Sequence, residues 1–264
     1  MTGLTPAERL LRSLGVSNPA EVDLEAIAFH LGVVRVKYRP LDGCDARIVG
    51  MGDRAIITVN DRQPQTRQRF SIGHEIGHWH HHRGRTLFCG ATDLAEHGHA
   101  QAFEETANRF ASNLLLPGYL VEPVARAFPQ LTLKAVREIA SMFGASLTAT
   151  AIRLVEVGHC PAMLICHSLG GRKWFVRSPG VPDRWFPQDQ LHAESYAFDV
   201  LHGHCGEQAS PRKIGADAWF DRREATSYEV QEQSVLVGNG EILTILNFTD
   251  SDMLEEAELV RRWR

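Results

Sequence analysis

Apolar residues recur at helical spacing in PAERLLRSLG and PAEVDLEAIAFHLG, each opening near a proline and closing on a glycine, which predicts two short helices at the start of the chain. From Val33 the texture changes. VVRVKYRP, DARIVGM and RAIITVN are rich in β-branched residues and broken by Gly, Asp and Pro, the pattern of a small sheet. PQTRQRFSIGHEIGHWHHHR keeps Phe70, Ile72 and Ile76 on an approximate apolar face and reads as a helix despite two glycines. After a loop containing CGATDLAEHGHA, the segment QAFEETANRFASNLLLPGYL steps Phe103, Ala107, Phe110 and Leu114 by threes and fours, predicting a second long helix ended by Pro117 and Gly118.

Residues 131–158 carry two helical runs joined at FGASLT, with Gly144 at the break and Ser146 or Thr148 as N-cap, which suggests a helix-turn-helix. Beyond Gly158 the pattern turns to hairpins: PAMLICHSLGGRKWFVRS reversing at Gly170-Gly171, and SVLVGNGEILTILNF reversing at Gly238-Asn239-Gly240. The expected division is therefore 1–125 for a first domain holding the small sheet and the histidine-rich helix, 126–159 for the helix-turn-helix and 160–264 for a separate α+β domain. The fold class is α+β throughout.

Composition narrows the setting. At 264 residues and 44% hydrophobic, the chain can bury a substantial core. A net charge of -4 supplies no global field toward nucleic acid or an anionic membrane, so a nucleic-acid role would need a local patch. No stretch approaches 18 apolar residues and the start reads as neither leader nor anchor, so a cytoplasmic protein with no membrane contact is expected. Five scattered cysteines without a CxxC pair argue for reduced thiols.

The chemistry lies in FSIGHEIGHWHHH. His74 and His78 are four residues apart, about 40° around a helix and one turn along it, so their imidazoles converge on one point. Such a pair, completed by a third protein ligand and an open position, suits a divalent ion such as Zn²⁺, with Mn²⁺ as the alternative. Glu75 falls on the flank of that face as the base for a water held there. An ordinary amphipathic surface helix could contain the same five letters. Gly73 and Gly77 speak against it, because each costs roughly 1 kcal/mol of helix propensity unless a close neighbour needs the room.

The third ligand is less clear from phase. Glu104 and Glu105 both stand in FEETANRFASNLLLP, and Glu105 lies opposite the Phe103/Ala107 stripe, so spacing alone selects neither. His80 and His81 point away from the His74/His78 direction, and His82 returns near it as a candidate supporting residue. HGHC, His202 to Cys205, lacks a matching partner pair for a second metal site.

The run from RAIITVN through GHEIGHWHHH and FEETANRFASNLLLP to IASMFGASLTATAIRLVEVG resembles the ImmA/IrrE family of metallopeptidases in order and spacing, over residues from about 20 to 158. The last third resembles only IrrE-like members, whose corresponding domain is similar to GAF sensor domains. The resemblance implies a thermolysin-like zinc peptidase domain, His74, His78 and Glu105 as metal ligands and Glu75 as general base. It also implies a helix-turn-helix repressor protein as substrate, whose cleavage releases DNA-damage and radiation-response genes, and a small-molecule or protein signal at the C-terminal domain.

Two rival readings follow from other features. One is a DNA-binding transcriptional regulator with a structural or sensory metal and no protease activity. The helix-turn-helix offers few cations, Lys134, Arg137 and Arg153, so direct DNA binding through it is not expected. The other is a ligand-responsive signalling protein whose C-terminal domain does the work. Within the peptidase reading, Arg54–Asn60 could as an edge strand pair with an extended substrate, or as an interior strand could not.

Overall fold

The computed structural model describes residues 3–82, 87–88 and 97–255. The CGATDLAE part of the predicted loop, Cys89–Glu96, and the end of the chain lie outside them, as does the side chain of His82. Contacts divide the chain into two compact units, Met1–Val121 with Ala140–Ala149, and Glu122–Ile139 with Thr150–Arg264.

In the first unit, α1 (Pro6–Ser13) opens with a capping box in which Thr5 accepts from the Glu8 N–H and the Glu8 carboxylate accepts from the Thr5 N–H. The predicted second helix starts later than its proline: Pro19–Glu21 form one 3₁₀ turn, and α2 (Leu24–His30) begins after Asp23, whose carboxylate accepts from the amides of Glu25 and Ala26. The strands β1 (Val33–Arg39), β2 (Ala46–Met51), β3 (Arg54–Asn60) and β4 (Leu87–Phe88) form one sheet in the order β1-β3-β2-β4. β3 pairs with β1 in parallel and with β2 antiparallel. Arg54–Asn60 is thus an interior strand with both ladders filled, and the edge-strand reading of this segment is overturned.

α3 (Gln65–His82) lies on the inner face of this sheet, where Ala46, Ile48 and Gly50 of β2 and Ala55, Ile57 and Val59 of β3 are buried. Trp79 anchors it. Its ring is fully buried, its indole N–H donates to the Leu31 carbonyl at 2.8 Å, and Gly50 leaves the space it fills, since a Cβ there would stand 2.3 Å from the ring. α4 (His97–Leu115) packs along α3, and α5 (Gly118–Ala125) resumes the helix after the break at Pro117.

α6 (Leu133–Phe143) and α7 (Leu147–Val157) flank the predicted turn, with Gly144 at φ +60, a value that glycine adopts without strain. The division between units runs through both helices. The second unit is built on a five-stranded antiparallel sheet, order β6-β5-β9-β8-β7, from β5 (Ala162–Ser168), β6 (Gly171–Arg177), β7 (Arg212–Gly215), β8 (Glu229–Val237) and β9 (Glu241–Asn247). Both predicted hairpins are present, the second turning through Asn239 at φ 67. A cluster including Trp185, Trp219, Phe220 and Met253 fills the space under α8 (Tyr196–Leu201) and the loops around it. The fold is mixed α+β, as the patterning predicts. Among the described residues, the cysteines Cys44, Cys160, Cys166 and Cys205 are free thiols.

Candidate metal centre

The closeness of α3 and α4 sets the site. A Cβ on Gly73 would lie 3.4 Å from Ala111, and one on Gly77 only 3.1 Å from the Ala107 backbone, so the glycines of one helix receive the alanines of the other. This is the close neighbour that two glycines in a helix require. Glu104, Ala107, Asn108 and Ala111 share one stripe at intervals of three and four, so seating the two alanines against the glycines carries Glu104 and Asn108 to the same side.

On α3, His74 is 17% exposed and His78 is 4% exposed. Their Nε2 atoms are 3.0 Å apart, and the two Glu104 carboxylate oxygens lie 3.3 Å from the two rings, Oε2 on His74 and Oε1 on His78. The outer nitrogen of His74, Nδ1, donates to Asn108 Oδ1 at 2.9 Å. That bond fixes the tautomer, with the hydrogen on Nδ1 and a lone pair on Nε2 directed at the other two groups.

The donor set fits a divalent metal. Two imidazole nitrogens and one carboxylate oxygen, all within 4.8 Å of one another, form the single convergence of three metal-type donors among the described residues. Neutral imidazole and carboxylate are the ligands Zn²⁺ takes, and three protein donors leave a coordination position open, as catalytic sites do.

Of the residues singled out from the sequence, the structure brings His74 and His78 together and places Glu75, 3% exposed, between them on α3. It does not bring Glu105 to them. The Glu105 carboxylate accepts from Arg109 at 3.1 Å on the solvent side of α4, both side chains about 70% exposed. The reason is helical phase: Glu105 is one residue, about 100°, beyond the stripe that faces α3. The apolar stripe of Phe103 and Phe110 misleads here; the small residues Ala107 and Ala111 are the signal that selects Glu104. Asn108 and Trp79, which orient the site, were not singled out from the sequence. His80 and His81 are exposed, their rings against Phe110. In HGHC, His202 stacks on Phe198 and His204 meets Asp199 at 3.3 Å, with no third metal-type donor among the described residues.

No helix among the described residues is long and apolar enough to cross a membrane. No curated protein sequence matches the chain. A Mycobacterium tuberculosis transcriptional regulator of known structure is similar in fold, with a TM-score of 0.56 at 13% sequence identity, covering 94% of this chain and 77% of that one. Residues 32–155, which span all four strands of the first sheet, α3, α4 and most of the α6–α7 pair, match the family model of the IrrE N-terminal-like domain, a peptidase family. The similarity to that family is carried by residues 32–155, just under half of the chain.

Proposed function

We propose that the chain is a zinc-type metalloendopeptidase in which His74, His78 and Glu104 hold the metal and Glu75 is the general base. We propose further that its substrate is a helix-turn-helix transcriptional repressor whose cleavage releases DNA-damage and other stress-response genes. The observation that carries the reading is the convergence of His74, His78 and Glu104 within a segment similar to the IrrE N-terminal-like domain. A bound divalent ion would supply a Lewis acid that polarises the scissile carbonyl and lowers the pKa of water. The chain supplies the rest. Asn108 holds His74 in one tautomer, Glu104 adds the negative charge that favours a dication over two neutral rings alone, and Glu75 takes the proton of the attacking water and returns it to the leaving amine.

On this reading residues 126–159 are the helix-turn-helix module and 160–264 a GAF-like signal-receiving domain, which an antiparallel sheet enclosing an aromatic core supports. The decisive experiment mixes the purified chain, zinc and a candidate repressor and follows fragments on a gel. Glu75→Gln preserves size and the metal ligands while removing the base, so cleavage is expected to fall by about 10² to 10⁴ with zinc retained. Cleavage at the parental rate in that variant would show that the mechanism is wrong.

A further inference from the structure

The outer face of the four-stranded sheet, turned away from α3, is basic. Strand alternation puts Arg35, Lys37 and Arg39 of β1, Arg47 of β2 and Arg54 of β3 on that face, because Arg35 is paired with Ile56, Lys37 and Arg47 both with Thr58, and Met51 with Arg54. The four strands carry these five cations and no carboxylate, in a chain with 32 Asp and Glu against 28 Lys and Arg. None of the five forms an ion pair or a side-chain hydrogen bond among the described residues. The nearby loop carboxylates Asp42 and Asp45 face Arg62 and Arg67 instead, and Asp53 lies in the β2–β3 turn beyond the strands.

An exposed sheet face is expected to be polar, so the charges alone are ordinary. Their single sign is not. Like charges on neighbouring strands are destabilising, and alternating signs would cost nothing in burial. Successive cations on β1 stand about 6.7 Å apart and adjacent strands about 4.8 Å apart, so the five form a lattice rather than a point. Val49, Met51, Ile56 and Thr58 of β2 and β3 lie among them, with Met51 85% exposed.

We propose that this face binds the phosphate backbone of duplex nucleic acid without reading its sequence. An array of unpaired cations complements a regular array of phosphates. Single strands are held chiefly by stacking on aromatic rings, and the three cation-bearing strands β1, β2 and β3 put none on this face: Tyr38, paired with Val59, is on the other side, its hydroxyl donating to Glu25 of α2 at 2.6 Å. The core of a protein–protein interface is depleted of charged residues, whereas five cations spread across this face. The inference is independent of the peptidase reading, since none of these residues touches the metal centre.

The test uses the full chain and a labelled mixed-sequence duplex of about 25 bp, with affinity followed by fluorescence anisotropy against salt. Five phosphate contacts give a log–log slope near -4.5, a loss of roughly 500-fold between about 50 and 200 mM salt. With Arg35→Gln, Lys37→Gln and Arg47→Gln together, the slope should fall to about -1.8, a loss of roughly 12-fold, with the melting temperature unchanged. Should the triple variant not fold, each single change should take about 0.9 from the slope. Failure of the duplex to bind at low salt, an unaltered slope in the variants, tighter binding of a single strand of the same length, or retention of poly-glutamate where the duplex is not retained would each overturn the proposal.

Discussion

Two carboxylates in this molecule are held in opposite ways. Glu232, on β8, is fully buried and ringed by donors: the Ala197 N–H at 2.6 Å and the Ser234 hydroxyl at 3.2 Å reach Oε1, and the Trp219 indole N–H reaches Oε2 at 2.9 Å. Glu104, on α4, is 56% exposed and faces two ring nitrogens at 3.3 Å, of which His74 Nε2 bears a lone pair. An acceptor surrounded by donors is complete and serves the fold. Acceptors that converge on one another are complete only with a cation between them, so burial alone does not mark a site of chemistry. The direction in which lone pairs point does.

The largest expected effect is at the convergent site. Supporting residues of metal sites cost 10 to 100-fold in affinity when removed, so removing a ligand should cost about 100-fold or more. Glu104→Ala, His74→Ala and His78→Ala are each expected to lose zinc to that extent in competition with a chelator. Parental zinc affinity in Glu104→Ala would remove Glu104 from the ligand set.

At the donor-ringed site the effect is on folding. Glu232→Ala strands three buried donors and is expected to destabilise by about 3 kcal/mol, read from urea unfolding. Glu232→Gln separates charge from shape. Burial raises the Glu232 pKa above the ordinary carboxylate value, outweighing the bonds from Trp219, Ala197 and Ser234 that lower it. Its contribution is therefore full below the unfolded value and is lost as pH rises through the folded value. The parent should lose stability over that window relative to Glu232→Gln; parallel stability profiles for the two would contradict the assignment.

The helix–helix contact gives a smaller effect whose sign differs between two positions. Alanine in place of glycine in an open helix gains roughly 1 kcal/mol. At Gly73 the added Cβ meets Ala111 at 3.4 Å, ordinary contact, so Gly73→Ala should be neutral or stabilising. At Gly77 it meets the Ala107 backbone at 3.1 Å, and α4 must move, so Gly77→Ala should destabilise by about 1–2 kcal/mol and loosen zinc binding with it. Equal melting temperatures for the two variants would argue against the close packing of α3 on α4.

What could be read from the sequence follows the same physics. The helix of His74 and His78, the proline-led start of α1 and the two glycine hairpins are local patterns, set by residues within a few positions of one another, and they appear in the structure as expected. The interior position of β3 was not legible, because its parallel partner β1 lies some twenty residues earlier and nothing in RAIITVN distinguishes one filled ladder from two. The choice between Glu104 and Glu105 was legible in principle. The register is written in the pairing of Gly73 and Gly77 with Ala111 and Ala107, but small residues give a weaker apolar signal than the phenylalanines beside them. The basic face needed the strand register, since five cations on three strands share a side only once the pairing is known.

The smallest expected effect completes the contrast between adjacent glutamates. Glu105 and Arg109 form an i,i+4 pair at 3.1 Å with both side chains well exposed, in the favourable order of acid before base along the helix. Such pairs contribute about 0.3–0.5 kcal/mol and are screened by salt. Glu105→Ala should therefore lower stability by no more than about 0.5 kcal/mol at low salt, by less at high salt, and leave zinc affinity unchanged. Elemental analysis beside urea unfolding makes the comparison with Glu104→Ala direct, because the two changes remove the same group one residue apart. If Glu105→Ala loses zinc while Glu104→Ala keeps it, α4 is turned by about 100° from the orientation described, and the contacts of Ala107 and Ala111 with α3 must be redrawn along with the ligand set.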